Sequence, residues 1–397
     1  MTDLDAFRAD TAAWLEAHCP PSMRTPMPES EVVWGGRDAR FVSEDARAWL
    51  KAMGAKGWTA PTWPAAYGGG GLTHDQNQVL QSELRRIKAR PPLFSFGIWM
   101  FGPVLLEYGT EAQKLEHIPK IVRGEIRWCQ GYSEPGAGSD LAGLQTRCED
   151  KGDHWLINGQ KVWTSYANEA DWMFCLVRTD TSVKHEGISF ILFDMKSPGV
   201  ETRPIRLISG SSPFCETFLT DVRVPKENMV GRLNGGWEIA KKLLMYERVN
   251  ISAGGFGAGT GGLPVHEQAK ALAGVDAEGR IADPDLRARF AEWAMLDRAF
   301  GLSVRRSQEE AKAGKFVGHA ASVFKVGAAK LNQERCELLL EAAGTQGLGW
   351  AGDGFDPSAL KLTRDWLRSK GNSIEGGTSE INLNVIAKRV LGLRDHQ

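Results

Sequence analysis

The spacing of apolar residues changes twice along this 397-residue chain, and that change limits the folds open to it. Residues 4–15, 41–53 and 78–87 place apolar side chains three and four apart, which predicts helices. Between them, Gly68-Gly69-Gly70-Gly71 predicts a loop, and Pro20-Pro21 and Pro91-Pro92 are further breaks. From 125 to 235 the texture becomes that of short strands. Asn158-Gly159 between two strand-like runs predicts a hairpin, and residues 172–177 and 188–193 are apolar runs suited to buried strands. After Gly235-Gly236 the helical period returns over 239–252, 284–313, 320–343 and 380–391. Asp283-Pro284 supplies an N-cap and a first-turn proline, and Ser379 is placed to cap the last helix. The order is helices (1–124), a β-domain (125–235) and a helical bundle (236–397).

Charge excludes some functions. Lys plus Arg is 48 against 49 for Asp plus Glu, a net −1 that disfavours a chain-wide nucleic-acid surface. A hydrophobic fraction of 42% with no long block of like charge argues against disorder. No apolar run reaches the roughly 18–20 residues of a membrane helix, and the acidic amino terminus lacks a secretory pattern, so a cytoplasmic location is expected. Six scattered cysteines, never spaced C-x-x-C, predict reduced thiols. With no H-E-x-x-H and no close Cys/His pair, no metal site is expected.

Gly257-Ala258-Gly259-Thr260-Gly261-Gly262 satisfies G-x-G-x-x-G, yet it follows a helical run rather than a strand. Close packing through small residues is its better reading. No serine sits in a G-x-S-x-G elbow. Two other segments carry more. Tyr132-Ser133-Glu134-Pro135-Gly136-Ala137-Gly138-Ser139-Asp140 is a glycine-rich loop entering the β-domain, and Ile374-Glu375-Gly376-Gly377-Thr378-Ser379-Glu380-Ile381 is a polar glycine turn leading into a helix. Exposed amides beside hydroxyls suit a phosphate or ribose. An ordinary loop and a capped helix account for each segment equally well in isolation.

Taken with Asn158-Gly159-Gln160-Lys161-Val162-Trp163-Thr164-Ser165 and with the helix–strand–helix order, these segments resemble the acyl-CoA dehydrogenase family over essentially the whole chain. The resemblance implies an α+β fold: an N-terminal helical domain, a middle β-barrel and a C-terminal four-helix bundle, usually in a homotetramer. It implies FAD, with Tyr132, Ser133, Gly138, Trp163, Thr164 and Ser165 near the flavin, and Thr378 and Glu380 near the ADP portion. Gly344 and Thr345 match the glycine turn that reaches the pyrophosphate of a partner subunit. Ser139 and Arg248 match positions beside the acyl-CoA. Many members carry an Arg-x-x-Phe-Gly segment that grips the pyrophosphate; residues 274–280 lack it, and Arg280 is the nearest substitute.

The implied reaction is α,β-dehydrogenation of an acyl-CoA thioester. A glutamate removes the α proton, the β hydrogen leaves as hydride to flavin N5, and electrons pass to an electron-transfer flavoprotein. The weakly acidic α proton demands stabilisation of the developing enolate, and the family's backbone donor falls at Gly376. In many members the base stands two residues before the threonine of this turn, where the present chain has Gly376. A minority place it on the first bundle helix, one residue before an arginine, and Met245-Tyr246-Glu247-Arg248-Val249 matches that arrangement. Glu247 is therefore the expected base and Glu375 the runner-up. The alternatives are a flavin oxidase of the same fold and a non-catalytic or co-catalytic subunit of a heteromeric assembly, a heterotetramer among them. Acyl length, branching and ring content are not legible in the sequence.

Overall fold

The computed structural model describes residues 3–252, 263–313 and 320–394. The chain divides into two compact units. Of the described residues, the first comprises 3–205 and 213–243, and the second 206–212, 244–252, 263–313 and 320–394.

The first unit opens with helices α1 (Asp3–His18), α2 (Glu44–Ala55), α3 (His74–Arg86), α4 (Gly102–Tyr108) and α5 (Glu111–Val122). Their ends are written locally. Thr73 and Thr110 form capping boxes with Gln76 and Gln113, and Ser43 accepts from the Ala46 N–H. The amphipathic faces of α1, α2 and α3 close on Leu15, Trp49, Met53 and Leu80. The glycine run 68–71 is the expected loop, folded tightly: a Cβ on Gly69 would lie 2.4 Å from the Trp63 carbonyl oxygen.

Eight strands follow: β1 (Trp128–Gly131), β2 (Arg147–Asp150), β3 (His154–Ser165), β4 (Trp172–Arg178), β5 (Ile188–Asp194), β6 (Val200–Ile205), β7 (Phe214–Pro225) and β8 (Met229–Val230). They form one mixed sheet ordered β6-β7-β3-β2-β4-β5-β8, with β1 parallel to β4. Cys148, Trp155, Ile157, Cys175, Ile191 and Val222 fill its core. The hairpin expected at Asn158-Gly159 is absent, because both residues lie inside the continuous strand β3. Asn158 exchanges two hydrogen bonds with Asp221 across a register shift against β7. A Cβ on Gly159 would meet Thr146 at 2.6 Å, so the glycine serves close approach at an irregularity, not reversal. The turn is made instead between β2 and β3, around Gly152 at φ +89°.

The helix α6 (Gly236–Ser252) comes next, its residues up to 243 assigned to the first unit. The second unit holds α7 (Val265–Ala273), α8 (Pro284–Lys312), α9 (Ala320–Ala342), α10 (Pro357–Ser369) and α11 (Ser379–Val385). Ala269, Phe290, Leu338, Leu339 and Ala342 form a core there. Asp283 caps α8 as its sequence predicts, accepting from Asp285 and Leu286. The cap of α11 is Thr378, whose hydroxyl accepts from Ile381, and not Ser379; the helix starts one residue earlier than periodicity suggests. The 257–262 glycine motif lies outside the described residues. No described helix is long and apolar enough to cross a membrane.

Candidate functional site

The glycine loop after β1 is braced from beneath by a buried ion pair. Lys161, fully buried on β3, donates to Glu134 Oε1 at 2.8 Å and to the Tyr132 carbonyl at 3.2 Å. Glu134 also accepts the backbone N–H groups of Gln145 (2.6 Å) and Thr146 (2.9 Å). Burial pushes the Glu134 carboxyl up, but the Lys161 charge and these hydrogen bonds hold it below the usual range. The Ser133 carbonyl accepts from Val162, and Glu134 and Ala137 bond to each other across Pro135-Gly136. Gly138 and Ser139 are exposed at the rim, and a Cβ on Gly136 or Gly138 would meet nothing within 4 Å. A hydrogen-bonded buried pair thus fixes a loop whose outer face is open.

Beside that loop, β3 gains one residue against β7 between Lys161 and Thr164. The bulge throws Trp163 into the left-handed region at φ +60° and leaves its indole 55% exposed, edge-on to Phe214. Non-glycine residues adopt that conformation at a cost, and such strain gathers at ligand sites. Thr164 is buried, its hydroxyl without a hydrogen-bond partner among the described residues, and Ser165 is half-buried at the strand end. An exposed indole beside an orphaned hydroxyl suits a flat, polar, heterocyclic ligand.

In the second unit, the turn from Ile374 to Glu380 needs glycine twice, with Gly376 at φ +64° and Gly377 at φ +91°. Asn382 Nδ2 ties the turn down by donating to the Gly377 and Thr378 carbonyls. Glu375 is fully engaged: Oε2 accepts from Arg368 at 2.7 Å and Oε1 from Asn372 at 2.6 Å. Asn372 is in turn held by Asn332 on α9. Glu380 titrates low because its own backbone N–H and the Thr378 hydroxyl favour the carboxylate. Glu247 lies half-buried on α6, one residue before Arg248, whose side chain is outside the described residues.

The remaining expected positions fall elsewhere in this unit. Gly344, at φ +56°, and the exposed Thr345 open the short turn Gly344–Leu348. Gly347 packs so closely that a Cβ would stand 2.5 Å from the Leu340 carbonyl oxygen. Arg280 is bound by Asp276 (2.9 Å) and Glu278 (2.6 Å) inside its own turn, so its guanidinium already has two carboxylates.

Sequence reasoning missed three features: the Glu134–Lys161 brace, the Arg368–Asn372 clamp on Glu375, and Lys325. Only the first carried a signal, a lysine at an inward position of an alternating strand.

Three family models cover most of the chain: the acyl-CoA dehydrogenase N-terminal domain over 2–125, the middle domain over 129–222 and the C-terminal domain over 234–391. IpdE1 of Mycobacterium tuberculosis, named an acyl-CoA dehydrogenase, is 34% identical over 400 residues, covering 99% of this chain and 98% of its own. FadE34 of the same organism, also so named, is 40% identical over 343 residues and 86% of this chain; the match spans only 45% of FadE34. Among solved structures, the Tcur3481-Tcur3483 steroid ACAD superposes with a TM-score of 0.76 at 28% identity, over 99% of this chain and 98% of that one. The ChsE4-ChsE5 complex from Mycobacterium tuberculosis gives 0.73 at 27%, over 100% and 99%. The chain belongs to the acyl-CoA dehydrogenase family, a family of oxidoreductases.

Proposed function

We propose that the protein carries out the α,β-dehydrogenation of an acyl-CoA thioester, with Glu247 as the base and FAD as cofactor. The observation that carries the base assignment is the state of the terminal turn. Gly376 has no side chain, and both oxygens of Glu375 are already committed to Arg368 and Asn372. Taking up a proton there would mean giving up one of those hydrogen bonds. Glu247 is then the carboxylate that matches a base position of the family.

The residues fit the cofactor. Trp163 offers an aromatic edge, Thr164 an unsatisfied hydroxyl, and the loop from Tyr132 to Gly138 an open, braced surface with Ser133 in it. Thr378 and Glu380, with Gly344 and Thr345, are the polar groups assigned to its ADP end. The flavin supplies, when bound, the acceptor for the β hydrogen. The chain's own part is proton removal at Cα by Glu247, polarisation of the thioester oxygen by the Gly376 N–H, and placement of the CoA ester by Ser139 and Arg248. Arg280 reaches a pyrophosphate only by exchanging its carboxylate partners. Electron-transfer flavoprotein is the proposed acceptor, supported by a relative 29% identical over 86% of the chain, named the CarC subunit of a caffeyl-CoA reductase-Etf complex.

The structural relatives at 27–28% identity support a ring-bearing acyl group and a partner chain, since one is named a steroid ACAD and both names pair two polypeptides. A heteromer is therefore the second reading beside the homotetramer. Native mass measurement, with flavin counted per chain, separates them. The main test follows flavin reduction in a single turnover against straight-chain, branched and steroid-bearing acyl-CoA thioesters. Glu247→Gln, with flavin retained, is expected to slow reduction by about 10²–10⁴-fold. Reduction at the native rate in Glu247→Gln, with collapse in Glu375→Gln, moves the base to Glu375.

A further inference from the structure

The second unit contains a buried cation that the proposed chemistry does not use. Lys325, on α9, is only 2% exposed, and its ammonium has no hydrogen-bond partner among the described residues. One helical turn earlier, Ser322 is 1% exposed with its hydroxyl also unpartnered. Leaving an ammonium buried without a hydrogen bond is costly, and a methionine would fill the same space without that penalty. What the methionine lacks is the charge.

The surroundings show where that charge acts. Helix α9 is bonded to the chain leading into the terminal turn, through Asn332 to Asn372 (2.8 Å) and Gln333 to the Ser369 carbonyl (3.0 Å). Burial drags the Lys325 ammonium below its usual pKa, and the two carboxylates that oppose this fall are Glu375 and Glu380. These are the residues at either end of the turn that presents the Gly376 N–H. Two flanking carboxylates repel any negative charge that forms there. Arg368 neutralises Glu375 directly, so Lys325 is the further cation that balances the turn.

We propose that Lys325 is a positioning residue for enolate formation: its buried charge, on the helix that packs against α11 and bonds the segment before the turn, offsets Glu375 and Glu380, so that the thioester oxygen can take up negative charge at the Gly376 N–H. The proposal rests on the dehydrogenase reading given above, and it adds a residue that touches neither substrate nor cofactor.

The test uses the full-length holoprotein and a 3-ketoacyl-CoA, whose acidic α C–H lets the bound thioester ionise without further reaction. Absorbance at fixed pH measures the fraction bound as enolate. In Lys325→Met the ionisation constant is expected to fall about tenfold or more, with flavin content retained and binding of a saturated acyl-CoA within about twofold. Lys325→Arg, which keeps the charge, is expected to retain the enolate. An unchanged enolate fraction in a flavin-loaded Lys325→Met protein overturns the proposal, and so does an equal loss in folded Lys325→Arg, which would indicate shape rather than charge. Where Lys325→Met does not hold flavin, Lys325→Gln is read by the same criteria. Failure of the unsubstituted protein both to ionise the analogue and to reduce its flavin would instead overturn the dehydrogenase reading itself, and this inference with it.

Discussion

Lys161 and Lys325 are two buried lysines with opposite surroundings. Lys161 reaches a carboxylate and a carbonyl and builds a loop; Lys325 has no hydrogen bond among the described residues, and the carboxylates that act on its charge belong to a turn. Burial alone therefore does not define what a charged side chain does. A satisfied pair holds geometry, and an unsatisfied charge sets a potential. Substitution is expected to separate the two: loss of Lys161 should unfold, and loss of Lys325 should change chemistry.

The largest effect is expected at Lys161. Lys161→Met leaves Glu134 buried without its cation, and breaking a buried pair from one side costs about 3–5 kcal/mol. Denaturant unfolding should show that loss, with flavin released in parallel. A change below about 1 kcal/mol would mean that the two backbone N–H groups on Glu134 suffice to hold it. The pair has an acid limit as well. The folded-state pKa of Glu134 is depressed, so its contribution is complete above the unfolded carboxyl range and is lost as pH falls through that lower value.

A second test uses a buried base that, like Lys325, lacks a partner. His117 is 1% exposed, its Nδ1 unbonded, and its ring lies edge-on to Trp128 and Trp172. Burial pulls its pKa down to about 4, with Lys120 adding to the fall and Glu116 opposing it. The unfolded chain takes up this proton near pH 6.5 and the folded one does not. Stability is therefore lost as pH drops from about 6.5 towards 4, by about 2 kcal/mol at pH 5. His117→Phe should remove that part of the pH dependence while keeping the aromatic contacts. An unchanged pH 7 to pH 5 difference in urea midpoint would show that His117 stays neutral in both states.

The sequence exposed these two lysines unequally. Lys161 interrupts an alternation of inward residues on β3, which marks it as buried and therefore paired. Lys325 stands in α9 among Lys330 and Arg335, which are not deeply buried, and nothing in the helical period distinguishes it. Helix α9 packs against α11 and bonds the segment before the terminal turn, contacts that no local pattern announces. The clamp on Glu375 is equally hidden, because Arg368 lies seven residues earlier on α10 and meets it only through a chain reversal. Where periodicity acted within one element, as in α3, or a cap did, as in α8, the fold was legible. Asn158-Gly159 misled because a turn-forming pair also serves a register shift inside a strand. The site residues on the loop and turn were reached through family resemblance, since the local patterns also fit an ordinary loop and a capped helix.

The smallest expected effect asks whether the turn beside Lys325 draws its order from its own cap or from α9 beneath it. Thr378 accepts from the Ile381 N–H, and losing such a cap costs about 1 kcal/mol. Ser379 is inside the helix and makes no such bond, so Ser379→Ala should leave stability unchanged within about 0.5 kcal/mol. Hydrogen exchange at residues 379–385 should therefore accelerate in Thr378→Ala and not in Ser379→Ala. If Thr378→Ala leaves exchange unchanged, the Asn382 bonds to the Gly377 and Thr378 carbonyls hold the turn without the hydroxyl. In that case the order comes from the packed side of the segment, where Asn382 is buried on a helix that packs against α9. The turn would then be a rigid donor set over a fixed charge, and Lys325→Met should change enolate formation with no change in exchange.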